Sequence, residues 1–139
     1  MAREKHEVTR IAFAAGVRAG VALGVCVVVL AVIGLTPSMS WVPELPLVGV
    51  AIVLPLFVFG LTGFRAGQRT HRIVGGLLAG AVAGVISGGV GGLSYVIFGK
   101  SLVNIAVGML LGALAGGVAG AIGAELGTAR RGVAGSRRS

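Results

Sequence analysis

The chain contains no aspartate, and its four acidic residues are all glutamates. Charged residues make up 12% of its 139 positions, about half the share of an ordinary soluble domain. It has one cysteine, Cys26, and two histidines, His6 and His71. Each shortage removes a class of chemistry. Without aspartate there is no paired-aspartate intramembrane protease, and no acidic pair or ring to pass protons or cations. A single cysteine permits neither an intramolecular disulfide nor a cysteine-built metal cluster. Cys26 lies inside an apolar run and reads as a small packing residue. The histidines are too isolated for metal binding. No H-E-x-x-H, G-x-S-x-G or G-x-x-x-x-G-K-[ST] pattern occurs. The expectation is a non-enzymatic protein with no cofactor and no metal.

Apolar residues and glycine are abundant instead. Hydrophobic residues are 55% of the chain, with 26 glycines in addition. A soluble globule of this length could not keep so much apolar surface from water, whereas a bilayer can receive it. The net charge is +8, but nucleic acid is not the expected partner. The basic residues sit in short clusters between apolar runs, which is first a topology signal. Such clusters can also hold anionic lipid headgroups, at about 1 kcal/mol per Lys or Arg.

A spanning helix needs ~20 mostly apolar residues, and four segments of a single membrane domain, residues 1–139, qualify. The first covers about 13–35 and is stopped by Pro37. It is longer than the ~7–15-residue apolar region of a signal peptide, and no A-x-A-like site follows, so it reads as a retained helix. The second covers about 45–64, with Pro55 near its middle predicting a kink. The third covers about 73–98 and the fourth about 102–126, joined by a tight turn that makes them an antiparallel hairpin. Residues 1–12 and 128–139 are basic ends.

Arg3, Lys5, Arg10 and Arg18 precede or enter the first span. Arg65, Arg69 and Arg72 fall between the second and third, and Arg130, Arg131, Arg137 and Arg138 in the tail. Eleven of the 12 Lys and Arg thus fall on one side of a four-span chain, against Lys100 on the other. That side is expected to be cytoplasmic and to hold both termini. Trp41, in the outer loop, suits the aromatic belt.

Glycine recurs every fourth residue. The third span has Gly76, Gly80, Gly84, Gly88 and Gly92; the fourth has Gly108, Gly112, Gly116 and Gly120, preceded by Asn104 and continued by Ala124; the first has Gly16, Gly20 and Gly24. Residues four apart share a helix face, and small-residue rows let backbones approach in lipid. Spans one, three and four are therefore expected to pack together in right-handed crossings. The second, with Gly63 and Gly67 only at its inner end, is expected to face lipid. Three long rows exceed what one helix pair needs, which predicts self-association or docking to a larger complex. The dense segment Ser87–Gly92 allows either a broken helix with exposed carbonyls or a continuous one in close contact, which hydrocarbon favours.

Arg18, Glu125 and Asn104 are the candidate intramembrane polar groups. Arg18 either snorkels to the inner interface or pairs with Glu125 at a similar depth on the fourth span. Asn104 falls near the outer interface.

The stretch Gly60-Leu-Thr-Gly63-Phe-Arg65-Ala-Gly67-Gln-Arg69, leading through His71-Arg72 to Gly75-Gly76-Leu-Leu-Ala-Gly80, covers about a fifth of the chain. It resembles small uncharacterised four-helix prokaryotic membrane proteins with glycine-zipper helices, in which an A-G-x-[RK] turn enters a G-x-x-x-G helix. The resemblance implies the same topology and assigns no functional residue. The Gly/Ala/Val/Arg bias points to a GC-rich prokaryotic genome, hence a prokaryotic plasma membrane.

The sequence thus predicts an all-α integral membrane four-helix bundle, up-down-up-down, with both ends cytoplasmic. It predicts a self-associating protein or an accessory subunit; the alternative is a small oligomeric transporter or channel.

Overall fold

The computed structural model describes residues 2–35, 44–97 and 99–136. Four helices occupy nearly all of them: α1 (Ala2–Leu35), α2 (Glu44–Thr70), α3 (Ile73–Ile97) and α4 (Val103–Ser136). Pro37, Trp41, Arg137 and Arg138 lie outside the described residues, as do the side chains of Arg3, Lys5, Arg130 and Arg131. Three segments are long and apolar enough to cross a bilayer: His6–Leu30, Ile73–Ile97 and Val103–Ala129. α2 runs through Pro55 and continues to Thr70, past the limit of about residue 64 expected from its apolar run. α3 is one uninterrupted helix through Ser87–Gly92.

Two tight turns join the last three helices. At the end of α2, His71 takes a left-handed conformation (φ 54°), and its N–H donates to the Gly67 carbonyl at 2.8 Å. This is the single-bond αL cap. Thr70 Oγ1 bonds back to the Ala66 carbonyl at 2.8 Å and fills the space in front of Gly75, where a Cβ would collide with it. Only His71 and Arg72 therefore separate α2 from α3. At the far end Gly99 (φ 78°) follows α3. The Gly99 N–H donates to Val96 O and the Lys100 N–H to Tyr95 O, the paired bonds of a Schellman cap. Ser101 then starts α4, its Oγ accepting from the Val103 N–H at 3.3 Å.

Between these turns α3 and α4 lie backbone against backbone. A Cβ at Gly76, Gly80, Gly84, Gly88 or Gly92 would run into the main chain at Gly120, Gly116, Gly112, Gly108 or Asn104 respectively. The two numbers of every pair add to the same total, so the helices are antiparallel and hold one register for five steps. A contact that repeats every four residues exceeds the 3.6-residue helical period, so the pair wraps right-handedly rather than crossing at a point.

The other two helices dock on this pair. Gly16, Gly20 and Gly24 of α1 receive Val82, Ile86 and Val90 of α3, whose side chains fill the space a Cβ would need. α1 thus meets these side chains together with the main chain at Ala79 and Ala83, not a second glycine row. Gly63 and Gly67 of α2 meet Gly120 and Ala124 of α4, and Gly123 and Gly127 of α4 meet the carbonyls of Gly60 and Phe64. Two findings differ from the sequence reading. The inner half of α2 is part of the packed assembly, and among the described residues α1 and α4 do not touch. The reason is a second small-residue row on α4, Gly123 and Gly127, which receives α2. The outer half of α2 is the more exposed, with Ile52, Val53 and Phe57, while in its inner half Leu61, Arg65 and Arg69 face outward between buried Gly63, Ala66 and Gly67.

The interior is correspondingly small. Buried apolar residues are five alanines, Ala12, Ala66, Ala79, Ala83 and Ala124, plus Leu23 and Phe59. Large side chains point outward on all four helices, as with Val25, Phe57, Leu77, Leu110 and Leu114. Cys26 is also exposed rather than packed, because it stands two residues past Gly24, on the side of α1 opposite the glycine row that faces the interior. The accessible area is 9256 Å², against roughly 6,600 Å² for a soluble monomer of this mass.

The register makes position-specific demands. Gly84→Ala places a methyl group on the Gly112 carbonyl and is expected to cost about 1–3 kcal/mol, the usual penalty of overpacking. Gly117→Ala meets only the Ala81 Cβ, at an ordinary 3.7 Å, and should change stability by less than about 0.5 kcal/mol. Thermal unfolding in mild detergent distinguishes them; equal effects would refute the register.

Candidate functional site

The polar residues singled out in sequence come together only in part. Asn104 lies in the first turn of α4, where its Nδ2 donates to the Ser101 carbonyl at 2.9 Å and its main chain backs onto Gly92. It stabilises a helix start. Glu125 is exposed on α4. Arg18 is on α1, which has no contact with α4 among the described residues. The alternative Arg18–Glu125 pair therefore does not form: in the α3–α4 register Glu125 is level with the α2–α3 turn, some ~16 Å from the level of Arg18, and α1 and α4 do not meet among the described residues.

Arg18 instead lines a groove of about 340 Å³ between α1 and α2. Ile11, Ala15 and Ala19 accompany it on α1; Val58, Leu61, Thr62, Arg65, Ala66 and Arg69 line the α2 side. The volume is within the usual range of small-ligand sites. Ala12, Ala66 and Ala79 close its base where α1, α2 and α3 meet. Among the described residues no acidic side chain lines it. Thr62 Oγ1 donates to the Val58 carbonyl at 2.7 Å, leaving the hydroxyl oxygen able to accept.

All three arginines are exposed, and helix geometry tilts them toward the same groove. Gly16 meets Ala79 and Val82, and Gly20 meets Ala83 and Ile86. Arg18 is therefore level with about the tenth residue of α3, some ~14 Å from its start at 1.5 Å per residue. Gly63 lies beside Gly76, so Arg65 is level with the start of α3. Helical side chains lean toward their own N-terminus. α1 and α2 are antiparallel, so Arg18 leans toward the α2–α3 turn while Arg65 and Arg69 lean away from it, into the groove. Arg65 and Arg69 are four apart and share a face, an arrangement that like charges disfavour.

Arg65 and Arg69 were read from sequence as loop residues. Their membership of a helical site follows from the extension of α2 to Thr70. The available signals were their own four-residue spacing and that of Gly63 and Gly67, which carries a packed helix past the apolar run.

A second groove, of about 390 Å³, lies between α2 and α4 and is lined by Leu56, Phe57, Gly60, Leu61, Phe64, Ala119, Ile122, Gly123 and Leu126. It is wholly apolar in residue type. No group of three or more potential metal ligands occurs among the described residues.

With the pair absent, Glu125→Gln is expected to leave the unfolding temperature in detergent unchanged, within the about 0.5 kcal/mol typical of surface changes. A large loss would restore a structural role for that carboxylate.

Compared with known proteins, the sequence matches no family model, no curated protein and no solved structure.

Proposed function

We propose that the chain is a small non-enzymatic integral membrane protein. It crosses the bilayer four times, with both ends on the cytoplasmic side, and serves as a self-associating unit or an accessory subunit of a larger membrane complex. The observation that carries the membrane reading is the inverted distribution of side chains. Alanine and glycine fill the interior while leucine, valine, isoleucine and phenylalanine cover the outside, an arrangement suited to lipid and costly in water. The arginines support the orientation. Arg65, Arg69 and Arg72 gather at the α2–α3 end, and Lys100 stands alone at the α3–α4 turn.

The glycine rows that raise the expectation of association are occupied within the chain. A second copy or a partner subunit would therefore use the side-chain-bearing outer faces. The longest of these is on α4, through Leu110, Leu114, Val118 and Ile122. The alternative, a small oligomeric transporter or channel, is favoured by one observation: Arg18 lies halfway along α1 in a groove whose other α1 residues are apolar, and a charge within a span is expensive unless it serves transport or binding.

In a Cys26→Ala background, Lys100→Cys is expected to react with a membrane-impermeant maleimide on intact cells, and His71→Cys only after permeabilisation. Labelling of both from one side would overturn the topology. Leu114→Cys is expected to cross-link in native membranes to a second copy or another protein. Recovery of monomer alone would remove the association. Flux of a solute through liposomes holding only this protein would favour the transporter instead.

A further inference from the structure

The α1–α2 groove is lined by three exposed arginines and by no acidic residue among the described residues. The nearest acid in register on α1 is Glu7, one turn below Ile11 on the same face, and it does not line the groove. Arginine remains charged at any pH a cell reaches, so protonation change cannot relieve the repulsion. An anion from outside the chain can. The groove suits one class of anion in particular. Its charged residues lie at three levels, with Arg18 roughly 12 Å further from the α2–α3 turn than Arg65 and roughly 18 Å further than Arg69; Arg18 leans toward the other two, and they toward it. Its walls beside them are apolar: Ile11, Ala15, Val58 and Leu61. Guanidinium binds phosphate oxygens two at a time through its planar fork, and the Thr62 hydroxyl lies on the same wall. A free ion would use the arginines and leave the apolar walls unused. A lipid would use both.

We propose that this groove is a binding site for an anionic phospholipid. Its phosphate is held between Arg18 and Arg65, with Arg69 at the turn end of the same groove, and the upper part of an acyl chain lies along Val58 and Leu61. The site rests on the four-span reading for one point only, that the groove opens into the inner leaflet. It goes beyond a general attraction of basic ends to acidic membranes, because it names one groove and excludes basic residues that do not line it, such as Arg10.

The test is displacement of a fluorescent phosphatidylglycerol from the purified full-length protein in mild detergent, with phosphatidylcholine and inorganic phosphate as competitors. Unlabelled phosphatidylglycerol is expected to compete, and phosphatidylcholine to compete poorly. Arg18→Gln should weaken binding roughly fivefold, and the triple change of Arg18, Arg65 and Arg69 to Gln roughly a hundredfold. Arg10→Gln should leave it unchanged. Ala15→Phe keeps every charge but fills the groove and should also abolish binding, which decides the matter if the triple variant does not fold. Equal losses from Arg10→Gln and Arg18→Gln, or undiminished binding by Ala15→Phe, would overturn the site. Displacement by millimolar inorganic phosphate as effective as by the lipid would assign the groove to a soluble phosphate and overturn the lipid. Because binding is read on purified protein, its failure leaves the topology to the maleimide result.

Discussion

The structure depends on one contact, the main chain of α3 laid directly on the main chain of α4. It requires that no side chain stand at five successive facing positions on α3, and glycine meets that requirement at Gly76, Gly80, Gly84, Gly88 and Gly92. In water such a helix would be poor, since each interior glycine costs about 1 kcal/mol relative to alanine. Surroundings without water change the comparison. There the helical hydrogen bonds have no competitor, and the close approach adds dispersion and Cα–H···O contacts along the whole length. The same choice determines what remains for the outside. A core made of backbone has no room for large side chains, so these must turn outward.

From this pair the positions of α1 and α2 follow. α3 offers Val82, Ile86 and Val90 on another face, which fit the row of Gly16, Gly20 and Gly24 on α1. α4 offers Gly123 and Gly127, which fit the carbonyl side of α2. Each outer helix is thus held by a different member of the central pair. They meet each other only over a limited region, around Ala12 with Ala66 and Leu23 with Phe59. The groove between them is the consequence. Its arginines are brought together because each is carried on a helix whose position is fixed elsewhere, so repulsion among three charges does not by itself open the site.

Much of this was legible in the residues. Length and apolarity marked four spans, of which those in α1, α3 and α4 are long and apolar enough to cross a bilayer among the described residues, and the four-residue glycine spacing marked faces that pack. What spacing cannot state is the partner of a face. A row on α1 can meet another row or a line of β-branched side chains, and it meets the latter. A row on α4 can be hidden beside a longer one, as Gly123 and Gly127 are beside Gly108–Gly120. The alternative Arg18–Glu125 pairing does not form for a related reason. Both the level of a residue in the bundle and its corner follow from how the faces dock, and docking separates these two in each respect. α2 was cut short because charge at Arg65 and Arg69 reads as the end of a span, although the helical hydrogen bonds continue to the cap at His71.

The shortage of acidic residues acquires a physical meaning in this setting. Arg18 is exposed on the surface of the chain, so with the chain in a bilayer its charge would meet hydrocarbon unless something in the groove met it. Here Glu125 is on the far corner and aspartate is absent altogether, so the charge of Arg18 has to be balanced by water reached along the groove or by an anion from outside. Water alone solvates a cation near the mouth, where Arg69 stands, better than at the level of Arg18, some ~14 Å along the bundle. The deeper the arginine, the more an external phosphate contributes. Arg18 is therefore the residue at which the proposed ligand and the fold are most strongly coupled. A ligand that neutralises it would stabilise the folded chain in proportion to its binding, which links occupancy of the groove to the integrity of the glycine contact that holds α1 in place.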